Sequence, residues 1–232
     1  MKILALSGWG QPHDSLYDIL PHATHFDYAD YKSVESALEA IADIAQNNDV
    51  IVGWSLGGQL AVRGIASGLI APKKLVLIGV PFQFVHVENI KIGMPKIGMP
   101  YDTFQKFRDN YDRNAARTLA KAWELVVLND KNAENIRARL ARHDREKMLE
   151  KDWLGWLDRL NGFSCKELDF SNFPETLLFH GANDAVVDSA QIHEFVNAIP
   201  QANHVILPDA GHAPHWHNAD LVKRHIEDFL YV

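Results

Sequence analysis

The residues best placed to do chemistry in this chain are Gly53-Trp54-Ser55-Leu56-Gly57. A serine hydroxyl is a weak nucleophile until a base takes its proton, and that base needs a carboxylate to hold its ring. In a Gly-x-Ser-x-Gly pattern the glycines permit a sharp strand-to-helix turn that lifts the hydroxyl above a sheet edge, at the positive end of the helix that follows. The residue after the serine, Leu56, offers a backbone N–H to an oxygen that gains charge during acyl transfer. The pattern alone is weak and depends on its setting. Residues 49–54 read as a buried, β-branched strand and residues 59–66 as a helix, which is the setting the chemistry requires.

In a sheet that carries a serine nucleophile in this way, the acid follows later in the chain and the histidine comes last. His180-Gly181-Ala182-Asn183-Asp184 stands at the end of one later apolar strand, and Asp209-Ala210-Gly211-His212 at the end of the next. Asp184 is therefore the expected acid, with Asp188 as its competitor. His212 is the expected base, with His215 and His217 as competitors. The run His-Ala-Pro-His-Trp-His invites a metal reading, but no Cys or carboxylate cluster joins it, so neither metal nor cofactor is expected. Ser7-Gly8-Trp9-Gly10 ends the first strand, and its glycines free backbone N–H groups toward the same edge.

The elements that must position these residues alternate. Strands are expected over 2–7, near 25–28, and over 49–54, 73–79, 175–181 and 204–207; helices over 33–46, from 56, and over 189–198 and 219–230. That alternation predicts an α/β fold with a mostly parallel sheet of about six strands and helices on both faces. Residues 82–169 break the alternation with helical periodicity, in helices at roughly 101–112, 114–128, 132–149 and 151–160. They are read as a helical lid inserted between two parts of the core, 1–81 and 170–232. Near the start of that insertion Lys91-Ile92-Gly93-Met94-Pro95 is repeated at once as Lys96-Ile97-Gly98-Met99-Pro100, which reads as a Gly/Pro-rich loop or hinge.

Composition narrows the setting. The 232 residues carry a net charge of −7, which disfavours generic nucleic-acid binding, and no apolar run approaches a membrane span. A single cysteine, Cys165, allows no internal disulfide and fits a reducing cytoplasm. The charge is uneven: residues 83–168 hold 16 Lys and Arg against 13 Asp and Glu, and the rest hold 7 against 17. At 100° per residue Arg139, Arg142 and Arg145 would share one side of a helix, opposite Ile136 and Leu140. Such a basic stripe on an acidic protein would steer an acidic partner.

The chain resembles the α/β-hydrolase superfamily over nearly its whole length. Within it, Gly8-Trp9-Gly10, Gly53-Trp54-Ser55-Leu56-Gly57-Gly58, Gly181 with Asp184, and Gly211-His212-Ala213-Pro214 look most like the pimeloyl-acyl-carrier-protein methyl ester esterases of biotin synthesis. The resemblance implies Ser55 as nucleophile, His212 as base and Asp184 as its orienter. It also implies an oxyanion hole from the Trp9 and Leu56 N–H groups, and an acyl carrier protein docked on the lid arginines. Ser7 departs from the family, which usually has His before the first glycine. Phe82, Phe104, Phe107, Tyr111, Trp123, Trp153 and Trp156 are candidates for an acyl pocket or for the core of the lid.

Overall fold

The computed structural model describes residues 1–86 and 97–231. Residues 91–96, the first copy of the tandem and the start of the second, lie outside the described residues.

Six strands, β1 (Ile3–Leu6), β2 (Thr24–Phe26), β3 (Val50–Trp54), β4 (Lys74–Ile78), β5 (Glu175–Gly181) and β6 (Ala202–Leu207), form one parallel sheet in the order β2-β1-β3-β4-β5-β6. All five residues of β3 are buried, as parallel strands covered by helices on both faces require. The chain leaves β1 toward β2 and then returns to the other side of β1 as β3. The loops after β1 and β3 therefore diverge, and a crevice opens at this switch in strand order.

Helices α1 (Val34–Ala45) and α2 (Leu56–Ala66) precede β4, and α8 (Gln191–Ala198), α9 (Pro214–His217) and α10 (Ala219–Tyr231) follow β5. Ser33 caps α1 by accepting the Ser36 N–H. Between β4 and β5 lie α3 (Tyr101–Arg113), α4 (Ala115–Val127), α5 (Ala133–Leu140), α6 (Arg145–Leu149) and α7 (Trp153–Asn161). The single helix expected over 132–149 is two. Ala141-Arg142-His143 turns away, and the Asp144 carboxylate accepts the Lys147 N–H to start α6 afresh.

This helical segment packs on the loop after β1. The Trp123 indole donates to the Gly10 carbonyl (2.8 Å), the Trp9 indole donates to the Trp153 carbonyl (2.7 Å), and the Trp9 ring sits edge-on to Phe107, Tyr111 and Trp153. Its aromatic residues thus close over the crevice. No helix among the described residues is long and apolar enough to cross a membrane.

Candidate active site

β3 ends at Trp54, and α2 begins one residue later. The turn between them forces Ser55 to φ 51°, ψ −118°, a strained position for a residue with a side chain. The turn is this tight because α2 starts almost on the sheet. A Cβ on Gly57 would stand 2.4 Å from the carbonyl oxygens of Leu6 and Ser7, and one on Gly53 would stand 2.3 Å from Gly58 Cα. The Ser55 N–H is tied to the Ile78 carbonyl (2.9 Å), which leaves the hydroxyl to face the crevice.

Ser55 Oγ lies 3.0 Å from His212 Nε2, and His212 Nδ1 lies 2.7 Å from Asp184 Oδ2. All three side chains are buried. The elements that carry them are far apart in the chain, and their C-terminal ends lie along one edge of the sheet, with β4 between β3 and β5. Ser55 follows β3, Asp184 follows β5 and His212 follows β6. Asp188 does not compete, since it turns its carboxylate to the Ala190 N–H (2.9 Å). The Asp184 carboxylate also accepts the Val186 and Val187 N–H groups (2.8 and 2.9 Å), and His180 Nε2 stands 3.2 Å from its Oδ2. Burial pushes the Asp184 carboxyl upward, but His212 and His180 outweigh it and hold it well below the usual carboxylate range. Burial likewise opposes the charge on His180, yet the Asp184 carboxylate raises its pKa. A hydroxyl bonded to an imidazole that is held by a buried carboxylate is the arrangement for proton transfer and nucleophilic attack.

Trp9 lines the cavity beside Ser55 and Leu56 follows it in the chain, and among the described residues neither N–H donates to a backbone carbonyl. Over Ser55 and His212 lies a cavity of about 280 Å³. Phe104 and Phe107 line it, as do Ala122, Leu125 and Leu160. The other candidate aromatics are not in its wall. Tyr111 and Trp153 support Trp9, Trp156 packs on Tyr28, and Phe82 packs on Phe170 and Phe195.

The Alpha/beta hydrolase family matches residues 3–224, and so spans every element of this site. The chain belongs to the α/β-hydrolase family. Among curated relatives, the pimeloyl-[acyl-carrier protein] methyl ester esterase of Nitrosomonas europaea is 27% identical over 200 residues, 85% of this chain and 77% of the relative. The protein of the same name from Xanthomonas campestris is 25% identical over 236 residues, 99% of this chain and 84% of the relative. The esterase of Exiguobacterium antarcticum superposes with a TM-score of 0.81 at 15% identity, covering 100% of this chain and 92% of that one. The bromoperoxidase of Bacillus anthracis does so with a TM-score of 0.81 at 17% identity and the same coverage. Those two likenesses show the fold.

The histidine-rich run after β6 of this α/β-hydrolase separates into three roles. His212 faces Ser55. His217 Nδ1 pairs with Asp130 Oδ1 at 2.8 Å. His215 is fully buried against the Trp54 and Trp216 rings, 4.6 and 4.9 Å between centres, with both ring nitrogens unpartnered. Among the described residues no three His, Cys, Asp or Glu side chains gather as metal ligands.

Burial holds the His215 pKa well below the imidazole value, so the folded protein keeps this ring neutral while the unfolded chain protonates it. The unfolded state then binds more protons, and stability falls as pH drops below about 6.5, by up to about 1.4 kcal/mol per pH unit. Burial lowers His143 in the same direction, to about 4. His215→Phe is expected to flatten the stability profile between pH 7 and pH 5, which urea titrations at each pH measure. An unchanged slope would put the acid sensitivity elsewhere.

Several supporting residues carry no sequence signal of their own. His180 reads as a strand residue and Asp130 as part of a polar turn, yet both are buried against the site. Asp130 Oδ2 accepts the Gly211 N–H (2.7 Å) just before His212, and the His212 N–H donates to the Val126 carbonyl (3.1 Å). The end of α4 thus grips the loop that carries His212.

The three arginines do not form one helical stripe. Arg139, on α5, pairs with Asp18 and lies 5.3 Å from the Trp216 ring centre. Arg142 is exposed in the turn, and Arg145 opens α6 over Trp123 at 5.4 Å. The break at Asp144 is what parts them. They border a common patch instead, around His143, whose ring touches both Trp123 and Trp216.

Proposed function

We propose that this chain is a serine carboxylesterase in which Ser55 attacks the ester carbonyl, His212 takes its proton and Asp184 orients His212. The unpartnered Trp9 and Leu56 N–H groups are the donors for the oxyanion. His212 then returns the proton to the departing alcohol, and water cleaves the acyl-enzyme by the same route. The observation that carries this reading is the Ser55–His212–Asp184 hydrogen-bond chain, 3.0 and 2.7 Å, at the foot of an apolar cavity. No cofactor enters the reaction. Residues 82–169 serve as the lid over the acyl chain.

The substrate we assign is the methyl ester of pimeloyl-acyl-carrier protein, cleaved to methanol and the pimeloyl carboxylate in the cytoplasm. Its support is the name carried by the sequence relatives and the Gly-Trp-Gly and Gly-Trp-Ser-Leu-Gly-Gly motifs. The exposed Arg142 and Arg145 would meet the acidic carrier on a protein of net charge −7, which would otherwise repel it. A second reading, a short-chain carboxylesterase or thioesterase without a carrier partner, is favoured by one observation: Arg139 is already engaged by Asp18 and Trp216.

Hydrolysis of the carrier-linked methyl ester beside p-nitrophenyl butyrate separates the two. Cleavage of both, lost in Ser55→Ala, supports the carrier reading; cleavage of the small ester alone sinks it. Reversing Arg142 and Arg145 to Glu is expected to lower kcat/KM for the carrier ester relative to p-nitrophenyl butyrate by about tenfold at low salt, with the difference shrinking as salt screens it. A ratio that does not move would leave the arginines without a part in docking.

A further inference from the structure

Asp184 Oδ2, the oxygen that holds His212 Nδ1 at 2.7 Å, has a second imidazole beside it. His180, near the end of β5, is buried, and its Nε2 lies 3.0 Å from the Val187 carbonyl oxygen and 3.2 Å from Asp184 Oδ2. Both neighbours are acceptors, so Nε2 carries a hydrogen. This N–H donates to Val187, and its positive end rests against the carboxylate of the triad. The loop makes the placement firm, because the Val187 N–H itself donates to Asp184 Oδ1 (2.9 Å).

A buried carboxylate beside an imidazole favours the imidazolium, and a base that is already protonated cannot take the proton of Ser55. We propose that His180 is a positioning residue of the triad, whose Nε2–H draws on the charge at Asp184 Oδ2 and so keeps His212 a free base to lower pH. Asp184 then orients His212 without holding it in the charged form at rest. Among the described residues, the titratable groups that face these rings are Asp184 and Asp188 for His180, and Asp184 and the neutral His215 for His212. Of these, His180 alone sets a second N–H against the oxygen that His212 uses. Its ring does so whether neutral or charged, and the Asp184 carboxylate favours the charged form against burial. This assignment rests on the esterase reading above and adds a residue to its site.

The pH profile of the reaction tests it. His180→Phe keeps a ring but removes the N–H, and so returns the whole carboxylate charge to His212. The acid limb of kcat/KM for p-nitrophenyl butyrate is then expected to move upward by about half a pH unit or more. His180→Gln keeps an N–H in the place of Nε2 and is expected to move the limb less than half as far. A residue that merely ties β5 to the Val187 loop would change stability and kcat and leave the limb where it is. An upward shift of less than about half a unit in His180→Phe, or one at least half as large in His180→Gln, overturns the assignment and leaves the esterase reading standing. Should the phenylalanine variant not fold, the wild type supplies a second measurement. In protein labelled with 15N-histidine, the His180 signals are assigned by their loss in His180→Gln. Its Nε2 is expected to bear the hydrogen at neutral pH, and a bare Nε2 overturns the assignment. Wild-type protein that cleaves no p-nitrophenyl butyrate overturns both readings.

Discussion

Ser55→Ala is expected to lower kcat for p-nitrophenyl butyrate by about a millionfold, leaving only what the oxyanion donors and the cavity contribute by binding. The variant keeps a Cβ and the same φ of 51°, so its melting temperature should stay close to that of the wild type. Ser55→Gly removes the nucleophile and relieves the strained backbone together, and should gain about 1 kcal/mol of stability. The pair separates chemistry from folding: both variants are inactive, and only the glycine is more stable. Activity above about one per cent in Ser55→Ala would place the nucleophile elsewhere. Asp184→Asn should cost roughly 10⁴-fold in kcat, since its NH₂ would face a donor, either the His212 ring or the Val186 and Val187 amides. Because Asp184 stays ionised far below neutral pH, its protonation does not set the acid limb of the activity profile.

Much of this site was legible in the chain because local chemistry fixes it. A buried strand followed by Gly-x-Ser-x-Gly permits one kind of turn, and strand ends in a parallel sheet gather at one edge. Ser55, Asp184 and His212 could therefore be named without coordinates, although their meeting depends on packing across three strands. The helical segment was harder, because periodicity over 132–149 does not reveal where an aspartate stops one helix and caps the next. Asp144 does this, and the arginine stripe drawn on one helix dissolves into a patch around His143. Asp130 and His180 left no trace in pattern or spacing. Each matters through a partner brought by the fold: a loop amide 81 residues away, and the carboxylate of Asp184.

Asp130→Ala is expected to cost about 3–5 kcal/mol of stability and, in what remains folded, about 10- to 100-fold in kcat. The Asp130 side chain is fully buried and satisfies three donors at once: the Gly211 N–H and the Asn132 N–H, both at 2.7 Å, and His217 Nδ1 at 2.8 Å. Alanine strands all three. The same turn holds the site by two further bonds, since the Lys131 N–H donates to the Asp209 carbonyl (2.9 Å) and the Asn183 amide to the Asn129 carbonyl (3.1 Å). The turn between α4 and α5 therefore braces the loop that carries His212 and the loop that carries Asp184. Asp130 reaches neither the cavity nor the reacting atoms, so its loss should lower kcat and leave KM near its wild-type value, which a purely structural residue has no reason to do. The rate at which a fluorophosphonate labels Ser55 should fall in step with kcat, because both depend on how His212 is aimed. His217→Ala is the graded comparison: it removes one of the three donors, leaves the Gly211 bond intact, and should cost less in both stability and rate. If Asp130→Ala loses stability while kcat and labelling hold, the helical segment merely rests on the catalytic loops. If all three fall together, the segment that covers the ester also sets the geometry of the base.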